Sequence, residues 1–234
     1  MHPCRPSPRR AALWAAGLIA TLTLCAPAVA NLDAARAAIT AGNLPIASVQ
    51  LRAALRDHDT EPEANELMAR IYLDGHQPRL ALVALAKAEE GGRERGDLLP
   101  LYAKAWRLSG DYSTLEGETA SLPDDLPPET RDAVMIQRAL GQLASGDPKQ
   151  AATVLSQLLQ GPQPASAKAA LAQVIAATGD LERAEELLTE CLELDPTNTD
   201  AWMLRGQIAE SRGDATAAEQ AYSGALPDAG GRAW

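Results

Sequence analysis

The chain has 234 residues and carries 31 acidic against 21 basic side chains, a formal net charge of −10. Every acidic residue lies beyond residue 30, where 18 Lys and Arg remain, so that part carries −13 (31 acidic against 18 basic). This balance argues against a nucleic-acid partner, because phosphate binding requires a basic surface. It suits a well-solvated surface.

The first 30 residues have the features of a secretory signal peptide. Arg5, Arg9 and Arg10 precede an apolar run over residues 11–25, and Ala28-Val29-Ala30 forms a small-x-small cleavage site. The run is too short to cross a bilayer comfortably and is followed by cleavable residues. We therefore predict that residues 1–30 are removed, with Ala28 and Ala30 marking the cleavage site.

Cys25 leaves an alternative open. Leu22-Thr23-Leu24-Cys25 resembles the box before the acylated cysteine of bacterial lipoproteins, although Leu24 stands where Gly, Ala or Ser is usual. Acylation would anchor the protein in the envelope, and contact with a membrane is expected only in that case. With cleavage after Ala30, the Ala-rich, Arg-rich composition suggests a GC-rich bacterium and a periplasmic protein.

Six glycines recur along the rest of the chain at Gly42, Gly75, Gly110, Gly146, Gly179 and Gly213. The steps between them are 33, 35, 36, 33 and 34 residues, a period typical of stacked helix-turn-helix units. Such a unit cannot bury its own apolar face, so neighbours stack on one another. We predict an all-α, right-handed α-solenoid of about six repeats, with no alternating strand pattern.

The repeats follow in chain order over approximately 31–60, 61–95, 96–127, 128–164, 165–198 and 199–226, and 227–234 is predicted to be a flexible tail. Each repeat contains a first helix, a turn and a second helix. The longest irregular link, residues 122–128, contains three prolines and follows a short second helix. We expect the solenoid to be weakest at this link.

The residue types have physical reasons that the last two repeats show best. The turn glycine can take a positive φ, and the Asp after it can cap the second helix. Apolar and small residues on the facing sides let the two helices approach closely; in the fifth repeat they are Leu171, Ala172, Ile175, Ala184, Leu188 and Cys191. Cys191 is therefore expected to be a buried core residue rather than a nucleophile.

These residues resemble the tetratricopeptide repeat (TPR) family. The sixth repeat matches the family motif through Trp202, Gly206, Gly213, Ala218, Tyr222 and Ala225, and the fifth through Leu171-Ala172, Gly179, Ala184 and Pro196. The earlier repeats match less fully. The resemblance implies TPR-like helix pairs and a protein partner rather than a substrate.

The functional surface implied by this resemblance is the inner face, lined by the first helices. A groove of this type takes an extended peptide or a partner helix. The candidate partner-binding residues are Asn65, Tyr72, Lys104, Arg107, Gln173, Met203, Gln207 and Glu210. Lys104 and Arg107 lie close together, as in the carboxylate clamp of chaperone-binding members, but the neighbouring Asn and Lys positions of that clamp are not filled.

The chain shows no constellation of residues for catalysis. No Ser-His-Asp or Cys-His set and no phosphate-binding loop after a strand is apparent. Asp57-His58-Asp59 fits a solvated turn better than a metal site, because a catalytic zinc typically needs three protein ligands. We predict that the protein is not an enzyme and needs no metal or cofactor.

The sixth repeat is followed by Leu226-Pro227-Asp228-Ala229-Gly230-Gly231 instead of a polar capping helix. We therefore expect Tyr222, Ala225 and Leu226 to be exposed. Either a partner covers them, for example a second copy in self-association, or the chain is a shortened relative of a longer array.

The opening repeat resembles the tetratricopeptide lipoprotein of the exosortase/PEP-CTERM system over residues 33–39 and 51–55. That resemblance implies a part in exopolysaccharide export or in sorting surface proteins. The leading hypothesis is an exported, non-catalytic scaffold that binds a protein partner in its groove. The alternative is an envelope assembly factor for exopolysaccharide export or PEP-CTERM protein sorting.

Overall fold

The computed structural model describes residues 28–56 and 61–226, with side chains from residue 31 onward. Within those ranges the regular structure is helical, with no strand. The helices are α1 (Ala28–Thr40), α2 (Leu44–Ala54), α3 (Glu61–Asp74), α4 (Pro78–Glu90), α5 (Arg95–Ser109), α6 (Tyr112–Thr119), α7 (Pro128–Ala144), α8 (Pro148–Leu158), α9 (Pro164–Ala177), α10 (Leu181–Leu194), α11 (Thr199–Ser211) and α12 (Ala215–Gly224). The predictions for Cys25, His58 and the 227–234 tail lie outside the described residues.

The helices form six successive hairpins, with odd-numbered first helices and even-numbered second helices. Each first helix packs on the second helix of its own hairpin, and each second helix packs on the next first helix. Consecutive first helices also contact one another from α1 to α11, whereas no two second helices do so in the described ranges. The stack therefore curves with the first helices on its inner side, and the predicted all-α solenoid is confirmed.

Five of the six hairpin turns share one conformation. Their left-handed residue is a glycine with a φ between 69° and 97°, a region that glycine enters without Cβ strain. The next residue donates its N–H back to the first helix, as Asp147 does to the Gln142 carbonyl at 2.8 Å. Its side chain then caps the second helix in each of these five turns, the capping residues being Asn43, Asp111, Asp147, Asp180 and Asp214.

The second hairpin makes the same turn one residue later than the sequence analysis placed it. The left-handed residue is His76, with a φ of 53°, and not Gly75. The N–H of Gln77 donates to the Tyr72 carbonyl at 2.7 Å, but the Gln77 side chain does not cap α4. The assignment of the left-handed position to Gly75 was wrong, because a glycine in a turn does not by itself show which residue has the positive φ.

Two apolar cores fill the stack and meet at α7. The first core extends from Leu32 to Val134, and the second from Ile136 to Ile208. Val134 and Ile136 are two residues apart, which places them on opposite sides of α7, because each residue turns a helix by about 100°. This helix therefore joins the two halves of the stack.

The small residues at the helix interfaces are required by close packing. A Cβ at Gly206 would clash with the ring of Tyr222, and one at Gly141 would clash with Leu115. The predicted core of the fifth repeat is confirmed, because Ala172, Ala184, Leu188 and Cys191 have no exposed surface. Burial raises the pKa of the Cys191 thiol to about 11, which keeps it protonated and unreactive.

The irregular link before α7 is held by specific contacts. The second helix of this repeat, α6, has only 8 residues, and Leu126 within the link is 7% exposed. Arg131 donates to the Pro123 carbonyl at 2.7 Å, and Arg138 bonds Glu116 at 2.9 Å. The first helices α5 and α7 pack directly on each other beside this link.

Asp132, near the start of α7, is a buried carboxylate in this region. The residue is 6% exposed, and its Oδ2 has no hydrogen-bond partner within the described ranges. Burial raises the pKa of Asp132 and the nearby Glu129 charge adds to this, whereas the backbone N–H of Gln163 opposes it. Ionisation of this carboxyl is therefore less favourable in the folded protein than in the unfolded chain.

We predict that restoring the common turn sequence in the second hairpin stabilises the protein. Because His76→Gly relieves a left-handed side chain and Gln77→Asp adds a helix cap, the double variant should gain about 1–2 kcal/mol in the free energy of unfolding. That gain corresponds to a rise in Tm of a few degrees, measured by calorimetry. Gly179→Ala, the matched control in a turn that already has the common sequence, should lower Tm. A double variant that melts at or below the wild-type temperature would contradict this explanation of the turn.

A second prediction concerns pH. A group whose pKa is raised by folding stabilises the fold at low pH, and that contribution is lost as pH rises through the folded-state pKa. Asp132→Asn should therefore be more stable than wild type at pH 7, with a difference that shrinks as pH falls toward the ordinary carboxyl pKa of about 4. Urea unfolding across this range measures the difference, with Asp125→Asn as a control at an exposed carboxylate. If Asp132→Asn is instead less stable than wild type by the same amount at every pH, the Asp132 carboxylate is structurally required.

Candidate functional site: the inner groove

Residues on the inner groove are identified by their distance from the left-handed turn residue. Six residues before it lie Lys104, Gln173 and Gln207, of which Gln173 and Gln207 are exposed and Lys104 is partly exposed. Counted from His76, the equivalent residue in the second repeat is the exposed Arg70; counted from Gly75 it would be Ala69, which is fully buried. The burial pattern therefore agrees with the shifted turn.

Two of the predicted groove residues are misplaced by that shift. Asn65 is 6% exposed, and its amide donates to the Glu61 carbonyl within its own helix at 3.0 Å. Tyr72 is partly buried and packs against the first core. A shift of one residue turns the helix by about 100°, which moves both side chains from the groove toward the core. The inner register of α3 is instead occupied by Glu66 and Arg70.

The inner side of α3 and the link between α4 and α5 form a charged cluster around Glu66. The Glu66 residue is 8% exposed, and its carboxylate contacts Arg70 at 3.0 Å and Arg93 at 2.6 Å. Lys104 on α5 lies 3.5 Å from the carboxylate of Asp74, at the end of α3. The charge of Lys104 is therefore already balanced by its neighbour in the stack.

Arg107 differs from Lys104 because no carboxylate of the described residues forms an ion pair with it. Its Nε donates to Oε1 of Gln137 on α7 at 2.8 Å, and its other nitrogens have no hydrogen-bond partner in the part of the chain described. Burial lowers the pKa of Arg107, while the charge of Asp200 on α11 partly offsets this. An unpaired, partly buried guanidinium thus lies on the inner side of α5, with an acidic residue from α11 near enough to act on it.

Gln137 and Asp200 are groove residues that the sequence analysis missed. Gln137 lies nine residues before Gly146, and apart from Asp33 in the first repeat the equivalent positions hold apolar residues, so the repeat pattern gave no consistent signal for it. Asp200 lies 13 residues before Gly213, and Asp97 lies 13 residues before Gly110. This shared spacing could have identified Asp200 as a candidate from the sequence.

The remaining candidates lie on α9 and α11. Gln173 and Gln207 are exposed, and Met203 has 41% of its surface exposed. Glu210 is also exposed, but its carboxylate accepts a hydrogen bond from the Tyr222 hydroxyl at 2.8 Å. Gln173, Met203 and Gln207 thus form an uncharged stretch of the inner side, beyond Arg107.

The last hairpin presents a second surface. Leu226 is 71% exposed, whereas Tyr222 and Ala225 are only partly exposed. Part of this surface is a groove of roughly 660 Å³, lined by Glu210, Gly213, Ala215, Ala218, Glu219, Tyr222, Ser223 and Leu226. The apolar side of α12 is therefore accessible in the described residues.

Over residues 28–56 and 61–226, no cluster of three His, Cys, Asp or Glu side chains has the arrangement to hold a metal ion. In the same ranges, no helix is long and apolar enough to cross a membrane.

Comparison with known proteins bears on the repeats. The tetratricopeptide repeat sequence model matches residues 142–208 and 176–234. Tetratricopeptide repeat protein 21A of Mus musculus is 41% identical over 78 residues, which make up 33% of this chain. The chain spans only 6% of the length of that mouse protein.

Two solved structures resemble the fold. The structure titled "Functional Characterization of Pseudomonas Aeruginosa pilF" has a TM-score of 0.55 and 20% sequence identity, covering 83% of this chain and 88% of that chain. The TPR domain of P58(IPK) has a TM-score of 0.38 and 16% identity, covering 86% of this chain and 60% of that chain. The pilF likeness concerns the fold alone. Together with the sequence match over residues 142–234, it supports repeats of the TPR type in this chain.

Proposed function

We propose that this TPR protein is an exported, non-catalytic scaffold that binds an extended peptide or helix of a partner protein in its inner groove. The observation that carries this proposal is Arg107, a partly buried guanidinium that forms no ion pair with any carboxylate of the described chain. The groove supplies the surface, and Arg107 supplies a charged anchor within it.

The energetics favour an acidic group of the partner at Arg107. Burying a cation costs free energy unless a counter-charge or hydrogen bonds compensate, and Gln137 offers only a neutral oxygen. A carboxylate can accept two parallel hydrogen bonds from a guanidinium, and a hydrogen bond to a charged group contributes about 1.5–3 kcal/mol. A partner carboxylate would therefore complete the coordination that the chain leaves open.

Asp200 favours one orientation of the bound segment in the groove. It lies on α11, three repeats after α5, and its charge acts on Arg107. We propose that a bound segment places its acidic group at Arg107 and a basic group toward Asp200. The uncharged residues Gln173, Met203 and Gln207 would contact the rest of that segment.

The first 30 residues support export of the protein to the periplasm. The basic start, the apolar run over 11–25 and the Ala28-Val29-Ala30 site carry this part of the proposal. Lipid anchoring through Cys25 is the alternative. Mass spectrometry of the mature protein distinguishes the two, because cleavage after Ala30 leaves Asn31 as the N-terminus whereas acylation retains a modified Cys25.

We predict that Arg107→Ala weakens partner binding by about tenfold or more, because the charge-assisted contact is lost. The full chain serves as bait on an envelope extract, and binding of the captured partner is then measured by calorimetry. Arg183→Ala is the matched control, because Arg183 is an exposed arginine on the second helix α10.

Arg107→Lys separates charge from geometry in the same assay. Lysine keeps the positive charge but lacks the planar fork, so an intermediate loss of affinity is expected. Circular dichroism and Tm establish that each variant is folded. Equal affinity for Arg107→Ala and wild type, with both folded, would rule out Arg107 as the anchor.

A second proposed function is envelope assembly, in exopolysaccharide export or PEP-CTERM protein sorting, through the surface of the last hairpin. The observation that favours it is the apolar groove on α12, with Leu226 71% exposed at one end. An exposed apolar patch of this kind fits a neighbouring protein or a second copy of this chain.

We predict that Leu226→Glu abolishes self-association if a second copy covers this surface, because a charge would be buried in the contact. Sedimentation velocity over a range of protein concentrations measures the oligomeric state. Leu194→Glu is the control, since Leu194 is 55% exposed at the end of α10. A wild-type chain that stays monomeric throughout would exclude self-association and leave only a different protein as the partner at this surface.

A further inference from the structure

Four exposed aliphatic side chains mark the outer side of the first two hairpins. Ile46 and Val49 on α2 are 51% and 62% exposed, and Leu80 and Val83 on α4 are 48% and 56% exposed. They account for four of the seven large hydrophobic residues exposed in the described ranges. We call this surface the outer ridge.

The fold itself does not require apolar residues at these positions. The ridge residues lie four and seven residues after the left-handed residue of their turns, Gly42 and His76. The same positions in the later hairpins hold small or polar residues: Thr114 and Gly117, Gln150 and Thr153, Arg183 and Glu186, and Ala217 and Gln220. Because the four later hairpins form without large apolar residues at these positions, the fold does not explain the ridge, and we assign it to a function of the first two hairpins.

The charge beside the outer ridge has the opposite sign to that of the whole chain. Residues 44–56 contain Arg52 and Arg56 but no acidic residue. On α4, Arg79, Lys87 and Glu90 are exposed, while Glu89 contacts Arg95 and accepts a hydrogen bond from Tyr102. By contrast, the second helix α10 carries five Glu and one Arg. Over residues 44–56 and α4 the four basic residues Arg52, Arg56, Arg79 and Lys87 thus outnumber Glu89 and Glu90, on a protein of net charge −10.

The outer ridge also lies next in sequence to a membrane-directed segment. The apolar run over residues 11–25 precedes α1, which begins at Ala28. Acylation at Cys25 would hold the start of the chain at a membrane, whereas cleavage after Ala30 would release it once export is complete. The first two hairpins are the repeats nearest to it.

We propose that the outer ridge docks on an anionic lipid bilayer surface. Its aliphatic side chains would enter the boundary between headgroups and acyl chains, and Arg52, Arg79 and Lys87 would contact anionic headgroups. Within residues 28–56 and 61–226 the second helices do not contact one another, so the ridge lies on the outer side of the curve and does not enclose a peptide. This surface is opposite the inner groove, and the proposal does not rest on the groove's function.

The test places an environment-sensitive fluorophore on the ridge of the full chain. Val49→Cys and Val83→Cys are labelled with nitrobenzoxadiazole, and Thr153→Cys and Glu186→Cys are the matched controls at the equivalent positions of later hairpins. Cys4 and Cys25 are replaced by Ser in every variant, while the buried Cys191 is retained. Each protein is mixed with phosphatidylcholine vesicles that either contain or lack phosphatidylglycerol.

We expect a blue shift and a several-fold rise in emission at positions 49 and 83, only with phosphatidylglycerol, and a decrease with added salt. Positions 153 and 186 should not change. In the same assay, Arg52→Glu with Arg79→Glu should weaken the response without altering Tm.

Three outcomes would overturn the proposal. The first is an unchanged signal at positions 49 and 83. The second is an equal change at positions 153 and 186, which would mean that residues 11–25 hold the protein on the vesicle in no fixed orientation. The third is a change without vesicles that grows with protein concentration, which would assign the ridge to a second copy of this chain.

Discussion

The left-handed residue that closes each hairpin determines the orientation of everything around it. It ends the first helix, directs the next N–H back to that helix and sets the start of the second helix. Because a helix turns by about 100° per residue, a change of one position in this residue changes which side chains meet the core and which meet the groove. His76 shows the size of this effect, since it moves Asn65 and Tyr72 from the groove and brings Glu66 and Arg70 into their register.

The fold was predictable because its causes are local and repeated. A period of 33 to 36 residues, glycine at the turn, Asp or Asn as the cap and small residues at the interfaces all recur, and the structure confirms them in five hairpins. The groove was less predictable because it joins residues from distant repeats. Arg107 was predicted, but its contact with Gln137 and the influence of Asp200 depend on how the stack curves, which no single repeat encodes.

The inner and outer sides of the stack carry different chemical groups. The inner side contains a guanidinium without a carboxylate partner, followed by an uncharged stretch on α9 and α11. The outer side carries basic and aliphatic residues on its first two hairpins, and small or polar residues at the same positions afterwards. A protein with this arrangement can lie on a membrane surface by its outer side while its inner groove binds another protein.

The central claim is that the inner groove binds a protein partner, and site-specific photocross-linking in the native envelope tests it most directly. A photoreactive residue replaces Gln173 or Gln207 on the inner side of the fifth and sixth repeats. In separate variants it replaces Thr153 or Glu186 on the outer side of the fourth and fifth repeats. The account predicts that one partner protein is captured from both inner positions and from neither outer position. Capture of that partner from the outer positions, with none from the inner ones, would contradict it.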